Sequence, residues 1–159
     1  MEKIVLGIDP GIADTGYGFI RVSGSRLECL EYGSIKTPAG TPLPERLQTL
    51  YTELKRLLKK HRPQVAAVEQ LFFNKNVRTA LIVGQARGVA LLAVSQAGVP
   101  LSDFTPAQVK LAVSAYGQAS KLQVQKMVKL ILNLKELPQP DDAADALAVA
   151  ICGANHHRY

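Results

Sequence analysis

The 159-residue sequence has little of what would place it outside the ordinary soluble globular class. Its two cysteines, Cys29 and Cys152, are far apart and match no metal-ligand spacing. That excludes a disulfide scaffold and a cysteine zinc site, and leaves two reduced thiols in a cytoplasmic protein as the expectation. No apolar run reaches the roughly 18–20 residues that a membrane helix needs. The first residues, MEKIVLGID, run directly into a strand pattern, so no signal peptide and no membrane association are expected. There is no internal repeat, no low-complexity tract and no linker long enough to divide the chain. One domain over 1–159 is expected, with a frayed polar tail at 155–159. Acidic residues are outnumbered, 13 to 19, giving a net charge of +6. A basic excess on a small domain favours a polyanionic partner, though many basic proteins have none.

What is present is an order of patterns. Residues 3–8 (KIVLGI) form a buried-strand pattern that ends in the turn signal DPG. Residues 16–22 and 27–36 are β-rich and separated by Ser-Gly-Ser, which predicts a three-stranded antiparallel meander. After a proline-containing loop, Leu47, Leu50, Tyr51, Leu54, Leu57 and Leu58 recur at helical spacing from about Glu45 to His61. Residues 65–68 (VAAV) are a short buried strand, 77–97 a long helix, and 99–104 a fifth strand. Thr105 with Pro106 marks a helix start. Val124, Met127, Val128 and Ile131 stripe a helix over 120–134, and a last helix follows Pro140 to about Gly153. The sum is an α/β domain: a mixed five-stranded sheet flanked by helices. On the helix 77–97, Ala80, Gly84 and Gly88 fall four apart, so one face admits a second helix closely.

Four acids stand out by position. Asp9 and Glu69 each end a buried apolar run, and Asp142 and Asp145 open the last helix three residues apart, on one face. Carboxylates at the ends of buried strands are costly unless something positive meets them. Hard divalent cations take oxygen ligands, and several carboxylates at one edge can hold two such ions about 3.5–4 Å apart. Each acid also has a plainer reading: Asp9 as a turn residue, Glu69 as a loop charge, and Asp141, Asp142 and Asp145 as partners of a helix dipole. Spacing alone does not say that these segments meet.

The stretches VLGIDPGIADTGYG, VAAVEQLFFNKN and PDDAADALAVAICGA resemble the RuvC family of Holliday junction resolvases, as do GQARGVALLA and TPAQVKLAVSAYGQASKLQVQKMV between them. The likeness covers nearly the whole chain in order. It implies an RNase H-like fold, a homodimer, and a nuclease that uses Mg²⁺ or Mn²⁺, with two ions per subunit. It further implies symmetric nicking of opposed strands of a four-way DNA junction, 5′-phosphate and 3′-hydroxyl ends, and partnership with a branch-migration complex. Asp9, Glu69, Asp142 and Asp145 match the family's four catalytic, metal-holding acids. Asp141 is an extra acid beside that pattern, and it leaves the register of the third carboxylate open between Asp141 and Asp142, with spacing in favour of Asp142.

The same resemblance marks Lys110 and Lys121 as phosphate contacts among the basic candidates Lys110, Lys121, Lys126 and Lys129, and Phe72 as the residue that stacks on an unpaired base. Phe73, Lys75 and Arg78, with Asn74 and Asn76, follow Glu69 and are placed along the path of the DNA. The basic run Lys55, Arg56, Lys59, Lys60 and Arg62 reads as a solvated helix face, and His61, His156 and His157 carry no assignment. Three other functions stay open on residues alone. They are an actin-like ATPase, whose phosphate loop GIDPGIADTGYG also resembles but which needs a second such loop, a junction-binding protein without catalysis, and an RNase H-like enzyme acting on RNA.

Overall fold

A computed structural model of the chain describes residues 1–70 and 76–157. Five strands form one sheet in the order β3-β2-β1-β4-β5. Strands β1 (Glu2–Asp9), β2 (Asp14–Ser23) and β3 (Arg26–Lys36) make the expected antiparallel meander, and β4 (Val65–Glu69) and β5 (Leu101–Phe104) join β1 in parallel. The helices are α1 (Leu43–His61), α2 (Val77–Gln96), α3 (Pro106–Ser114), α4 (Lys121–Ile131) and α5 (Asp141–His156). Thr105 caps α3 through a reciprocal capping box with Gln108, as the Thr-Pro signal predicts.

Strand alternation divides the core in two. Leu6, Ile8, Phe19, Ala66 and Val68 face α1 and α2, while Val5, Ile20, Val22 and Ala67 face α3, α4 and α5. The helix α5 lies directly on β1 and β2. A Cβ at Gly7 would sit 2.0 Å from the Ala146 carbonyl oxygen, and one at Gly16 would sit 1.9 Å from that of Asp142. The glycines of β1 and β2 and the alanines of α5 therefore belong together: each omits the atoms that would hold helix and sheet apart.

Three expectations change. The last helix continues to His156 rather than ending near Gly153. Its end is packed rather than frayed: the His156 ring meets Phe104 edge-on at 5.4 Å, and the His157 ring nitrogen lies 3.2 Å from Ser102 Oγ. Residues 158 and 159 lie outside the described residues. The helix α2 is, by length and composition, apolar enough to cross a membrane, contrary to the expectation that no run is. Its apolar residues are divided between two faces, and Arg87 interrupts it to pair with Asp103. The face with Ala86, Ala90, Ala93 and Val94 is buried in the core shared with α1. Finally, Ala80, Gly84 and Gly88 do not form one free face. Ala80 is buried, whereas a Cβ at Gly88 would meet nothing within 4 Å. The exposed apolar stripe is instead Val77, Leu81 and Leu92, at 64%, 59% and 52% exposure, with Gly84 and Gly88 between.

Candidate active site

The register of the sheet brings two acids side by side. Ile8 pairs with Val68 across the parallel β1–β4 ladder, so Asp9 and Glu69 leave neighbouring strand ends together. Asp9 shares parity with Val5 and Gly7, and Glu69 with Ala67, so the pleat turns both toward the α5 face. There α5 presents its first turn. Asp9, Asp142 and Asp145 each offer a carboxylate oxygen, and these oxygens lie within 4.8 Å of one another. Glu69 and Asp145 line an adjoining cleft of about 280 Å³ with Lys110, Lys121, Val109 and Val124. The four acids expected from the sequence thus converge, from three separate segments.

Their protonation reflects that crowding. Burial raises the Asp9 carboxyl, and Asp145, Glu69 and Asp142 raise it further, against the pull of Lys121, to about 8. Burial also raises Glu69 and Asp145, each against the opposing pull of Lys121. Asp142 is raised by burial and by Asp14, and it shares a hydrogen bond with Asp9. Without a cation, burial and mutual repulsion favour a proton on Asp9 in place of positive charge. An all-oxygen set of this kind, desolvated and mutually repelling, suits a hard divalent ion.

Asp141, the ambiguous acid, points elsewhere. It accepts a hydrogen bond from Gln125 Nε2 at 3.0 Å and pairs with Lys121 Nζ at 3.5 Å, and it stands outside the three-carboxylate group. The geometry therefore supports the register that spacing favoured, with Asp142 as the inward acid. Lys121 reaches closer than a distant phosphate contact would: its Nζ lies 3.6 Å from Asp145 as well. Although burial opposes its charge, Asp145 and Asp141 raise its pKa overall. Lys110 is half-buried on α3 in the same cleft. Arg78 is exposed near the start of α2, while Phe72, Phe73, Asn74 and Lys75 lie outside the described residues. On α1, Lys60 and His61 are spent on Glu31, each at 2.6 Å, and Arg56 on Glu53, which fits the solvated-face reading of that basic run.

Two contributors were missed. Asp14 sits beside Asp142 and is held by Ser34 Oγ at 3.1 Å. Gly16 lets the α5 amino end reach the sheet at all. The alternating glycines of DTGYG were the available signal for the second, since strands rarely omit side chains without a close neighbour.

A sheet of three antiparallel and two parallel strands, with carboxylates at the ends of β1 and β4 and on a helix laid across them, is the architecture of RNase H-like nucleases. Comparison with known proteins makes the class specific. The family model described as crossover junction endodeoxyribonuclease RuvC matches residues 5–153. The RuvC of Pelotomaculum thermopropionicum is 56% identical over 98% of this chain and 95% of its own, and that of Heliobacterium modesticaldum is 57% identical over 96% and 94%. The structure of Thermus thermophilus RuvC in complex with a Holliday junction substrate superposes with a TM-score of 0.93 at 39% identity, covering 98% of this chain and 95% of that one. The yeast mitochondrial Holliday junction resolvase shares the fold alone, with a TM-score of 0.65 at 18% identity. This chain belongs to the RuvC family, the crossover junction endodeoxyribonucleases. It is a hydrolytic nuclease, and that decides against the ATPase reading of its glycine-rich turn.

Proposed function

We propose that the protein resolves four-way DNA junctions as a homodimer, cutting opposed strands symmetrically with Mg²⁺ or Mn²⁺ held by Asp9, Glu69, Asp142 and Asp145. The observation that carries this reading is the convergence of Asp9, Asp142 and Asp145 within 4.8 Å, with Glu69 beside Asp145. These four acids would hold two divalent ions per subunit, which would supply activation of the attacking water and stabilisation of the leaving 3′-oxygen, giving 5′-phosphate and 3′-hydroxyl ends. The remaining work falls to the chain. Lys110 and Lys121, at the mouth of the cleft, hold phosphate oxygens, and Lys121 balances Asp145 and Asp141 until DNA arrives. Phe72 stacks on an unpaired base at the junction centre, with Phe73, Lys75 and Arg78 along the same path.

The homodimer reading is supported by the Val77, Leu81 and Leu92 stripe, an apolar face left exposed among the described residues. An isologous pairing there sets two identical sites about a two-fold axis, and a junction has the same symmetry. Work beside a branch-migration complex in the cytoplasm follows from the family reading.

The test is a synthetic four-way junction incubated with and without Mg²⁺ or Mn²⁺, beside Asp9→Asn and a linear duplex. Metal-dependent paired nicks on the junction alone, sealed by ligase without end repair and absent in the variant, are expected. Junction binding without cleavage, or nicks that ligase cannot seal, overturns the corresponding part of the reading.

A further inference from the structure

We propose that Thr37 and Arg46 form a strap that holds the Asp9 turn in register, making them positioning residues for the metal-holding carboxylates. This rests on the metal-site reading of Asp9 given above.

Between Asp9 and Asp14 the chain has four residues, Pro10 to Ala13, that belong to neither strand. Gly11 makes the turn tight: a Cβ there would lie 2.3 Å from the Asp14 carbonyl oxygen. Such a turn has no ladder of its own, yet it fixes where β1 releases Asp9. Thr15 and Thr37 are the two fully buried polar side chains among the described residues, and both are spent on this turn. The Thr15 hydroxyl donates to the Gly11 carbonyl at 2.5 Å and accepts from its N–H at 3.4 Å. Thr37, just beyond β3, donates its backbone N–H to the Ala13 carbonyl at 2.9 Å and its hydroxyl to the Ile12 carbonyl. The same hydroxyl accepts from Arg46 Nε at 3.0 Å, and Arg46 also donates from its Nη2 to the Thr37 carbonyl at 3.0 Å.

The hydroxyl of Thr37 is therefore fully used, with its proton on the turn and a lone pair on α1. Through it, the first turns of α1 are tied to the segment that follows Asp9. The purpose of the tie is visible at the site. Four carboxylates gathered around one point repel, and Asp9 is the last residue of β1 in the ladder with β2, opposite Gly16, so a slack turn there would let it yield until a cation drew it back. A turn already fixed presents the carboxylate where the ion needs it, and catalytic groups must be held to about 0.5 Å to work. Thr37 makes two hydrogen bonds to the turn and two to Arg46, so its hydroxyl serves the tie between them.

The test compares Thr37→Val, which keeps the shape and removes the hydroxyl, with Thr37→Ser, which restores it. The readouts are the Mn²⁺ midpoint of the metal-induced rise in Tm, the single-turnover rate on a four-way junction in Mg²⁺, and junction affinity in EDTA. We expect Thr37→Val to raise the Mn²⁺ midpoint by about tenfold and slow cleavage in proportion, the size seen when an outer partner of a metal ligand is lost. Junction affinity in EDTA should stay at the wild-type value, and Thr37→Ser should recover both metal midpoint and rate. A wild-type Mn²⁺ midpoint in Thr37→Val overturns the strap, as does a serine variant that behaves like valine, since the hydroxyl alone would then not hold the site. If Thr37→Val does not fold, Arg46→Met decides by the same midpoint: a raised value supports the strap and an unchanged one refutes it. If wild type and Asp9→Asn share one midpoint, the metal-site reading itself fails, and the strap with it.

Discussion

Replacing Asp9 by asparagine should make the metal-free protein more stable at pH 8, although it removes a carboxylate that the proposed reaction needs. Burial and the carboxylates of Asp145, Glu69 and Asp142 push Asp9 up to about 8, whereas an unfolded aspartate titrates near 3.8. Between those values the folded chain keeps a proton that the unfolded chain releases. Stability of the metal-free wild type therefore falls as pH rises through that window, by at most about 1.4 kcal/mol per pH unit from this group. From pH 5 to pH 8 that is an upper limit of about 4 kcal/mol, and roughly half of it once water in the open cleft screens the charges. An asparagine side chain cannot ionise, so the variant lacks this slope. For a domain of this size, about 2 kcal/mol corresponds to roughly 4–8 °C in Tm. Scanning calorimetry on EDTA-treated wild type and Asp9→Asn at pH 5 and pH 8 should show the two Tm values diverging by that amount, the variant being higher at pH 8. Adding Mg²⁺ at pH 8 should raise the wild-type Tm and leave the variant unmoved, because the ion displaces the Asp9 proton. Parallel pH dependences in the two proteins would refute the reasoning, since Asp9 would then be an ordinary exposed carboxylate.

Gly16→Ala should abolish cleavage and cost about 1–3 kcal/mol or more, because its Cβ would fall 1.9 Å from the Asp142 carbonyl oxygen, with backbone on both sides and no side chain to yield; denaturant unfolding and junction cleavage measure the two effects. Lys121→Ala should change stability by only about 1 kcal/mol, as its pair with Asp141 is exposed and its pair with Asp145 half-buried, yet lower the salt slope of junction binding by about 1; an unchanged slope removes Lys121 from the DNA contacts. Leu81→Asp should leave the fold intact and yield a monomer in light scattering, while a dimer that survives the charge would place the interface elsewhere.

Much of the fold can be read from the chain itself. The DPG after KIVLGI, the Ser-Gly-Ser between two β-rich runs and the Thr-Pro before α3 are local punctuation, and local sterics and capping enforce them whatever the rest of the chain does. The parity that turns Asp9 and Glu69 to one face is likewise implicit in a strand's two-residue period. Element ends were less legible. The helix α5 runs three residues past its expected end because Phe104 and Ser102 receive its histidines, and those partners come from β5. The four-residue spacing of Ala80, Gly84 and Gly88 likewise could not show that Ala80 is buried while Gly88 stands open, because burial on α2 depends on what packs against it.

For the site, the residue types were legible and their meeting was not. The positions of Asp9, Glu69, Asp142 and Asp145, together with a resemblance spanning most of the chain, named the acids. Spacing could not show that three segments distant in sequence share one point. That depended on the register of β1 against β4, sixty positions apart, and on the close seating of α5 over Gly7 and Gly16, more than a hundred positions away. The same folded arrangement favours Asp142 over Asp141, since Lys121 and Gln125 hold Asp141 outward. The elements, the acids and the family follow from the chain alone, because they rest on short-range geometry and residue chemistry. Which carboxylates crowd together, how far burial and repulsion raise Asp9, and how buried hydroxyls tie its turn follow from the folded arrangement, because each is set by distances across the fold.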